Sequence, residues 1–306
     1  MKDISNKQET LSKQSTTTEV ETLPPTPATN GKYKGAWWAD LIVVLCAFFF
    51  SQFAGALICI ALGITPPEEY LMADTQSEEA AIAASEQARF IACTTLFAII
   101  ICTGFISIYK RIRGLERIIQ FRTPGWASPF RLLCGYFLLW CFSIAIEPLT
   151  LMLPGDQKML GGGGWLLISA VFLAPFFEEI IFRGYIGGIL KKSCGFTVAW
   201  IVSSLIFGIA HGTPSIIISA TLSGLVLGFY YLRYRSLVLV IMLHAMNNIT
   251  ACFLHTLGLS DTSIRELLGA GNIYWAIYAL SISISIIAIA RMWQVMRELS
   301  KNKYIF

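Results

Sequence analysis

The chain has 306 residues, of which 55% are hydrophobic and 14% charged, with a formal net charge of +4 and a mean hydropathy of +0.64. An ordinary soluble domain carries more charge than this, and repeated apolar runs of spanning length indicate an all-α, polytopic membrane helix bundle. Lys and Arg gather at span ends rather than along one face, which excludes a nucleic-acid partner and leaves membrane lipid as the surroundings.

Residues 1–34 are rich in Thr, Ser, Lys, Glu and Pro and bury too little apolar surface to fold, so a disordered tail is expected. The membrane-embedded domain is expected over 35–303. The first apolar run begins near Trp37, too late and too long for a cleavable signal peptide. About eight spans follow: Trp37–Ile64, Phe90–Tyr109, Leu132–Leu153, Trp165–Leu190, Phe196–His211, Ser215–Leu232, Leu237–Leu257 and Ile273–Ala290. The loop between the first two is acidic, and the loop after the second is basic. Gly161–Gly164 reads as a flexible connection without the GK[ST] of a phosphate cradle. The eight cysteines show no paired spacing and read as small buried apolar residues. Basic connections at Lys110–Arg131, Lys191–Lys192, Arg233/Arg235 and the C-terminal tail place both termini in the cytoplasm, as expected for a cell (inner) membrane protein.

Polar residues inside these runs are the functional signal, because a charge at that depth is costly. In the fourth span Glu179 and Arg183 are four apart and share a helix face. Glu178 is turned about 100° away, which leaves its carboxylate free to act while Glu179 and Arg183 support. His211 closes the fifth span, and His244 and Asn248 share a face of the seventh. Counted from the cytoplasmic ends at about 1.5 Å per residue, Glu178 lies at about 20 Å, His211 at about 24 Å, His244 at about 14 Å and Asn248 at about 20 Å. They fall in one slab of a core about 30 Å thick. His255 lies nearer the far surface and reads as interfacial or structural, and Asn247 points elsewhere.

A carboxylate and an imidazole can deprotonate a water, and a second His with an Asn can donate hydrogen bonds to an oxyanion. This inventory suits peptide-bond hydrolysis. Glu178, His211 and His244 could instead ligate a metal such as zinc, although HExxH is absent. Ser203 and Ser204 precede His211 by two turns, and GxSxG is absent, so no nucleophilic serine is indicated.

The ordered set Glu178-Glu179-x-x-x-Arg183, Phe207-x-x-x-His211 and His244-x-x-x-Asn248 resembles the CAAX protease and bacteriocin-processing family, which includes the type II CAAX prenyl endopeptidases. The resemblance covers Trp165–Leu257; the N-terminal spans add nothing to it. It implies an intramembrane endopeptidase acting on a peptide or protein substrate, with or without a lipid group. By resemblance Glu178 and His211 activate the water, His244 and Asn248 line the oxyanion site, and Glu179 and Arg183 complete the motif. Two other readings use the same residues: a non-catalytic immunity or scaffold protein, and a proton-coupled transporter, against which no internal repeat is visible.

Overall fold

The computed structural model describes residues 36–67, 78–113, 125, 128–153, 161–259 and 262–301. The expected tail, 1–34, lies outside these residues. The described residues fall in one compact unit, Gly35–Phe306. Their elements, in order, are α1 (Trp37–Ala61), α2 (Glu78–Arg113), α3 (Ser128–Thr150), α4 (Gly163–Cys194), α5 (Phe196–Ile209), α6 (Pro214–Tyr234), α7 (Leu237–Thr256), α8 (Ile264–Leu268) and α9 (Asn272–Lys301). Seven of them are long and apolar enough to cross a bilayer; α5, with 14 residues, is shorter, and α8 has only five. The protein is a multi-pass helical membrane bundle.

Several boundaries differ from expectation, among them the end of α9 at Lys301 rather than Ala290 and the start of α3 at Ser128 rather than Leu132, and two have local reasons. Helix α2 starts at Glu78 rather than near Phe90, because Glu78–Arg89 is rich in Ala, Glu and Gln, which are strong helix formers. Its 36 residues reach about 54 Å, so it projects beyond the core. Helix α5 stops at Ile209, and Thr213 is extended ahead of Pro214, which opens α6 at its first turn. At about 21 Å, α5 stops short of a full crossing.

The centre of the bundle is α4. Half of its most apolar window is buried, against 17% for α9 at the periphery. Packed on it are α1, α2, α5 and α7. Phe50, Phe53, Ile100, Phe130, Phe172 and Ile286 point outward, as lipid-facing side chains do. Near the start of α1, buried Asp40 accepts hydrogen bonds from the Tyr109 hydroxyl and from Arg113 Nε at 3.3 Å, tying α1 to the end of α2. The cysteines are free. Cys59, Cys102, Cys141 and Cys252 are buried as expected, Cys93 and Cys194 only partly so, and Cys46 and Cys134 face outward, where lipid is as apolar as the interior.

The glycine run before α4 is not a loose connection. Gly161 has φ +78°, and a Cβ there would meet the Ala84 carbonyl oxygen at 2.5 Å and the Ala88 nitrogen at 2.6 Å. The Gly162 N–H donates to that same carbonyl at 2.8 Å. The run therefore seats the start of α4 directly against α2, which only glycine permits.

Close packing also joins α5 to α6. A Cβ on Gly208 would overlap Thr221 Oγ1 and approach the Ile217 carbonyl oxygen at 2.7 Å, and one on Gly224 would meet Ser204 Cα at 3.2 Å. Gly208→Ala should therefore destabilise the protein by about 1–3 kcal/mol through overpacking, read as a lower midpoint of thermal unfolding in detergent.

Candidate active site

Helix α4 is not a uniform α-helix. Ile168–Leu173 and Glu179–Ile186 are π-helical, with the Ala174 N–H bonded to the Ser169 carbonyl and the Gly187 N–H to the Phe182 carbonyl. Such segments are uncommon and frequent at functional sites. The first has an identifiable consequence. In i→i−5 register the donor for the Ala170 carbonyl would be residue 175, which is proline and has no N–H. Asn248 Nδ2 of α7 donates to that carbonyl at 2.8 Å. One N–H of the Asn248 amide is thus spent on backbone that the helix itself leaves unpaired.

The second π segment carries the charges. Glu179 is fully buried, with Arg183 Nε 3.2 Å from its Oε2. Although this is ion-pair distance, the N–H is not aligned for a hydrogen bond, and both terminal nitrogens of Arg183 also lack a hydrogen-bond partner. The guanidinium instead lies 4.1 Å from the centre of the Phe207 ring, a cation–π contact that accommodates a buried cation. The other carboxylate oxygen, Oε1, is 2.9 Å from His244 Nδ1. A buried carboxylate accepts here, so Nδ1 carries the proton.

Glu178 faces differently. It lines a cavity of about 270 Å³ together with Phe48, Phe49 and Gln52 of α1, Phe182 of α4, and Ala210 and His211 beyond α5. Its Oε2 is 4.0 Å from His244 Nε2. His211 donates from Nδ1 to the Phe207 carbonyl at 2.8 Å, which leaves Nε2 unprotonated in the neutral ring and able to act as a base. Phe207 is the common wall: its ring packs edge-on against His211 at 4.7 Å and His244 at 5.9 Å.

The structure thus brings Glu178 and His211 to one cavity, with His244 beside Glu178 and held by Glu179 and, through it, Arg183. Asn248 is not among the residues lining that cavity. His255 is half-buried with an unpartnered Nδ1. Ser203 and Ser204 donate to the Trp200 carbonyl of their own helix. Among the described residues, no three His, Cys, Asp or Glu side chains are grouped to hold a metal ion. A larger cavity of about 600 Å³ lies between α3, α6, α7 and α8. Its carboxylate, Glu147, is occupied by the Ile264 N–H at 2.6 Å. Sequence reasoning passed over Gln52, although a lone amide inside an apolar run was a visible signal.

Three substitutions probe this construction. Arg183→Ala leaves the Glu179 charge buried without its cation and should cost about 3–5 kcal/mol of stability. Asn248→Leu strands the Ala170 carbonyl and should cost about 1–3 kcal/mol. Pro175→Ala restores an N–H for that carbonyl, so the cost of Asn248→Leu should shrink in its presence; a double-mutant cycle on thermal unfolding measures the coupling.

Residues 161–250 match the family model of type II CAAX prenyl endopeptidase Rce1-like proteins. The protein of Bacillus subtilis (strain 168) named "Putative membrane peptidase YdiL" is 35% identical over 83 residues, or 27% of this chain. The aligned part is 34% of that relative, so the chain spans about a third of the curated protein it matches. No solved structure matches the chain. The family match runs from the glycine connection to Thr250 in α7 and contains Glu178, Glu179, Arg183, His211, His244 and Asn248. Over its segment 161–250, this multi-pass membrane protein is similar to the Rce1-like type II CAAX prenyl endopeptidases.

Proposed function

We propose that the protein is an intramembrane endopeptidase that hydrolyses a peptide bond with a water activated by Glu178 and His211. The observation that carries this reading is the shared cavity: two groups able to accept a proton line one space at membrane depth. A water there gives its proton to Glu178, and its oxygen attacks the scissile carbonyl carbon. The carbonyl oxygen becomes an oxyanion. The protonated Glu178 then returns the proton to the departing amine, so the carboxylate is regenerated and one water is consumed.

His244 is the donor to the oxyanion. Its Nδ1–H is committed to Glu179 at 2.9 Å, so Nε2, 4.0 Å from Glu178, donates to the oxyanion from the doubly protonated ring. Asn248 keeps a second N–H after bonding Ala170 and serves the same oxyanion. Zinc held by Glu178, His211 and His244 is the competing way to activate the water; with both Nδ1 atoms engaged, each imidazole has only Nε2 to offer. The substrate is a peptide or protein reached within the membrane, and a prenylated C-terminus is the class that the family's name suggests. Basic residues at Lys110, Arg111, Arg113, Lys191, Lys192, Arg233 and Arg235 support cytoplasmic termini.

The test compares membrane-protein fragments in cells expressing the wild type, Glu178→Gln or His211→Ala. Each variant should lower Glu178-dependent fragments by about a hundred- to ten-thousand-fold. Wild-type cleavage by a folded variant overturns the reading. Elemental analysis of the purified protein decides the metal: stoichiometric zinc, with activity lost on chelation, replaces the glutamate-activated water by a metal-bound one.

A further inference from the structure

Helix α1 lies outside the matched segment, yet it supplies three of the seven residues that line the cavity: Phe48, Phe49 and Gln52. Gln52 is four residues from Phe48 and three from Phe49, so it neighbours both on the helix surface. Phe48 is the anchor. It is 6% exposed, and its ring centre lies 5.3 Å from those of Phe177 and Phe182 on α4. This aromatic wedge fixes the rotation of α1 and presents the next turn, with Gln52, to the space that Glu178 and His211 share.

Gln52 is fifteen residues beyond Trp37, or about 22 Å along the axis. That is the level already derived for Glu178, His211 and Asn248. No hydrogen bond from another described residue reaches its carboxamide. An amide in apolar surroundings without a partner is unfavourable, and its neighbours Phe50 and Phe53, 65% and 63% exposed, are ordinary lipid-facing residues. Ser51 beside it returns its hydroxyl to the Phe48 carbonyl at 2.8 Å, so Gln52 is the side chain of this turn that brings a polar group to the cavity.

We infer that Gln52 binds the substrate: its carboxamide, which has both a donor and an acceptor, pairs with a backbone peptide group of an extended substrate and sets which bond lies over Glu178. This inference rests on the endopeptidase reading. Phe49, half-exposed below Gln52, forms the lipid-side lip of the cavity and receives an apolar substrate side chain. An extended peptide has an unpaired N–H and C=O at every residue, so the amide recognises the backbone whatever the sequence.

The test begins with the cleavage sites that disappear in Glu178→Ala cells. A quenched peptide copying the most strongly affected site is assayed with purified protein in proteoliposomes. Gln52→Leu should lower kcat/KM about tenfold, mainly by raising KM, while the unfolding midpoint stays unchanged or rises. Gln52→Asn, which keeps the amide but shortens the reach, should fall between the two. Phe53→Leu, one residue on and facing lipid, should leave both parameters unchanged. Gln52→Met replaces the leucine variant should that fail to fold. A wild-type KM in the folded Leu or Met variant overturns the inference and leaves the endopeptidase reading intact. Unchanged fragment patterns in both Glu178→Ala and His211→Ala overturn the endopeptidase reading, and the role of Gln52 with it.

Discussion

One carboxylate, that of Glu179, organises the interior. It is sealed from solvent and shared between the guanidinium of Arg183 and the imidazole of His244. Buried charges are tolerated only when they are compensated, so this carboxylate fixes two neighbours at once: Arg183 on its own helix and His244 on α7. Fixing His244 fixes its tautomer and aims Nε2 away from Glu179, towards Glu178. Glu178 can then remain partly open to the cavity because the adjacent carboxylate has absorbed the structural duty.

A second constraint comes from the backbone. Within lipid every carbonyl needs a donor from the protein, and α4 breaks its own ladder where π register meets Pro175. The Asn248 amide that repairs the break comes from the same helix as His244, one turn on. Two contacts, one to a carboxylate and one to a backbone carbonyl, therefore lock α7 against α4 at successive levels. The rotation of α7 is determined without reliance on apolar packing, which discriminates poorly between helix faces when lipid and protein are equally oily.

Much of this was readable from the residues themselves. The spacing of Glu179 and Arg183, and the polar residues at matching depth on three spans, pointed to one site before any coordinates. Length and hydropathy are strong signals in a bilayer, so the seven long helices were readable, while the expected span Phe196–His211 proved to be the 14-residue α5. The parts that were not legible have a common cause. The rotation of one helix against another is a tertiary property, so the facing of Gln52 towards the cavity could not be read from α1. The π segments depend on hydrogen-bond register that residue identity does not encode. The early start of α2 lay in a stretch whose acidity drew attention away from its helix propensity.

The shortness of α5 has a consequence for the surroundings of the molecule. Lipid beside Val198, Leu205 and Ile209, which face outward, borders a wall about 21 Å tall where its neighbours offer a full crossing. A bilayer meets so short an apolar wall by thinning locally. Hydrophobic mismatch of this kind sorts proteins by membrane thickness; here the short wall ends at Ile209, two residues before His211. The lipid composition of the host membrane, and not the protein alone, thereby sets how large a mismatch this side of the bundle meets.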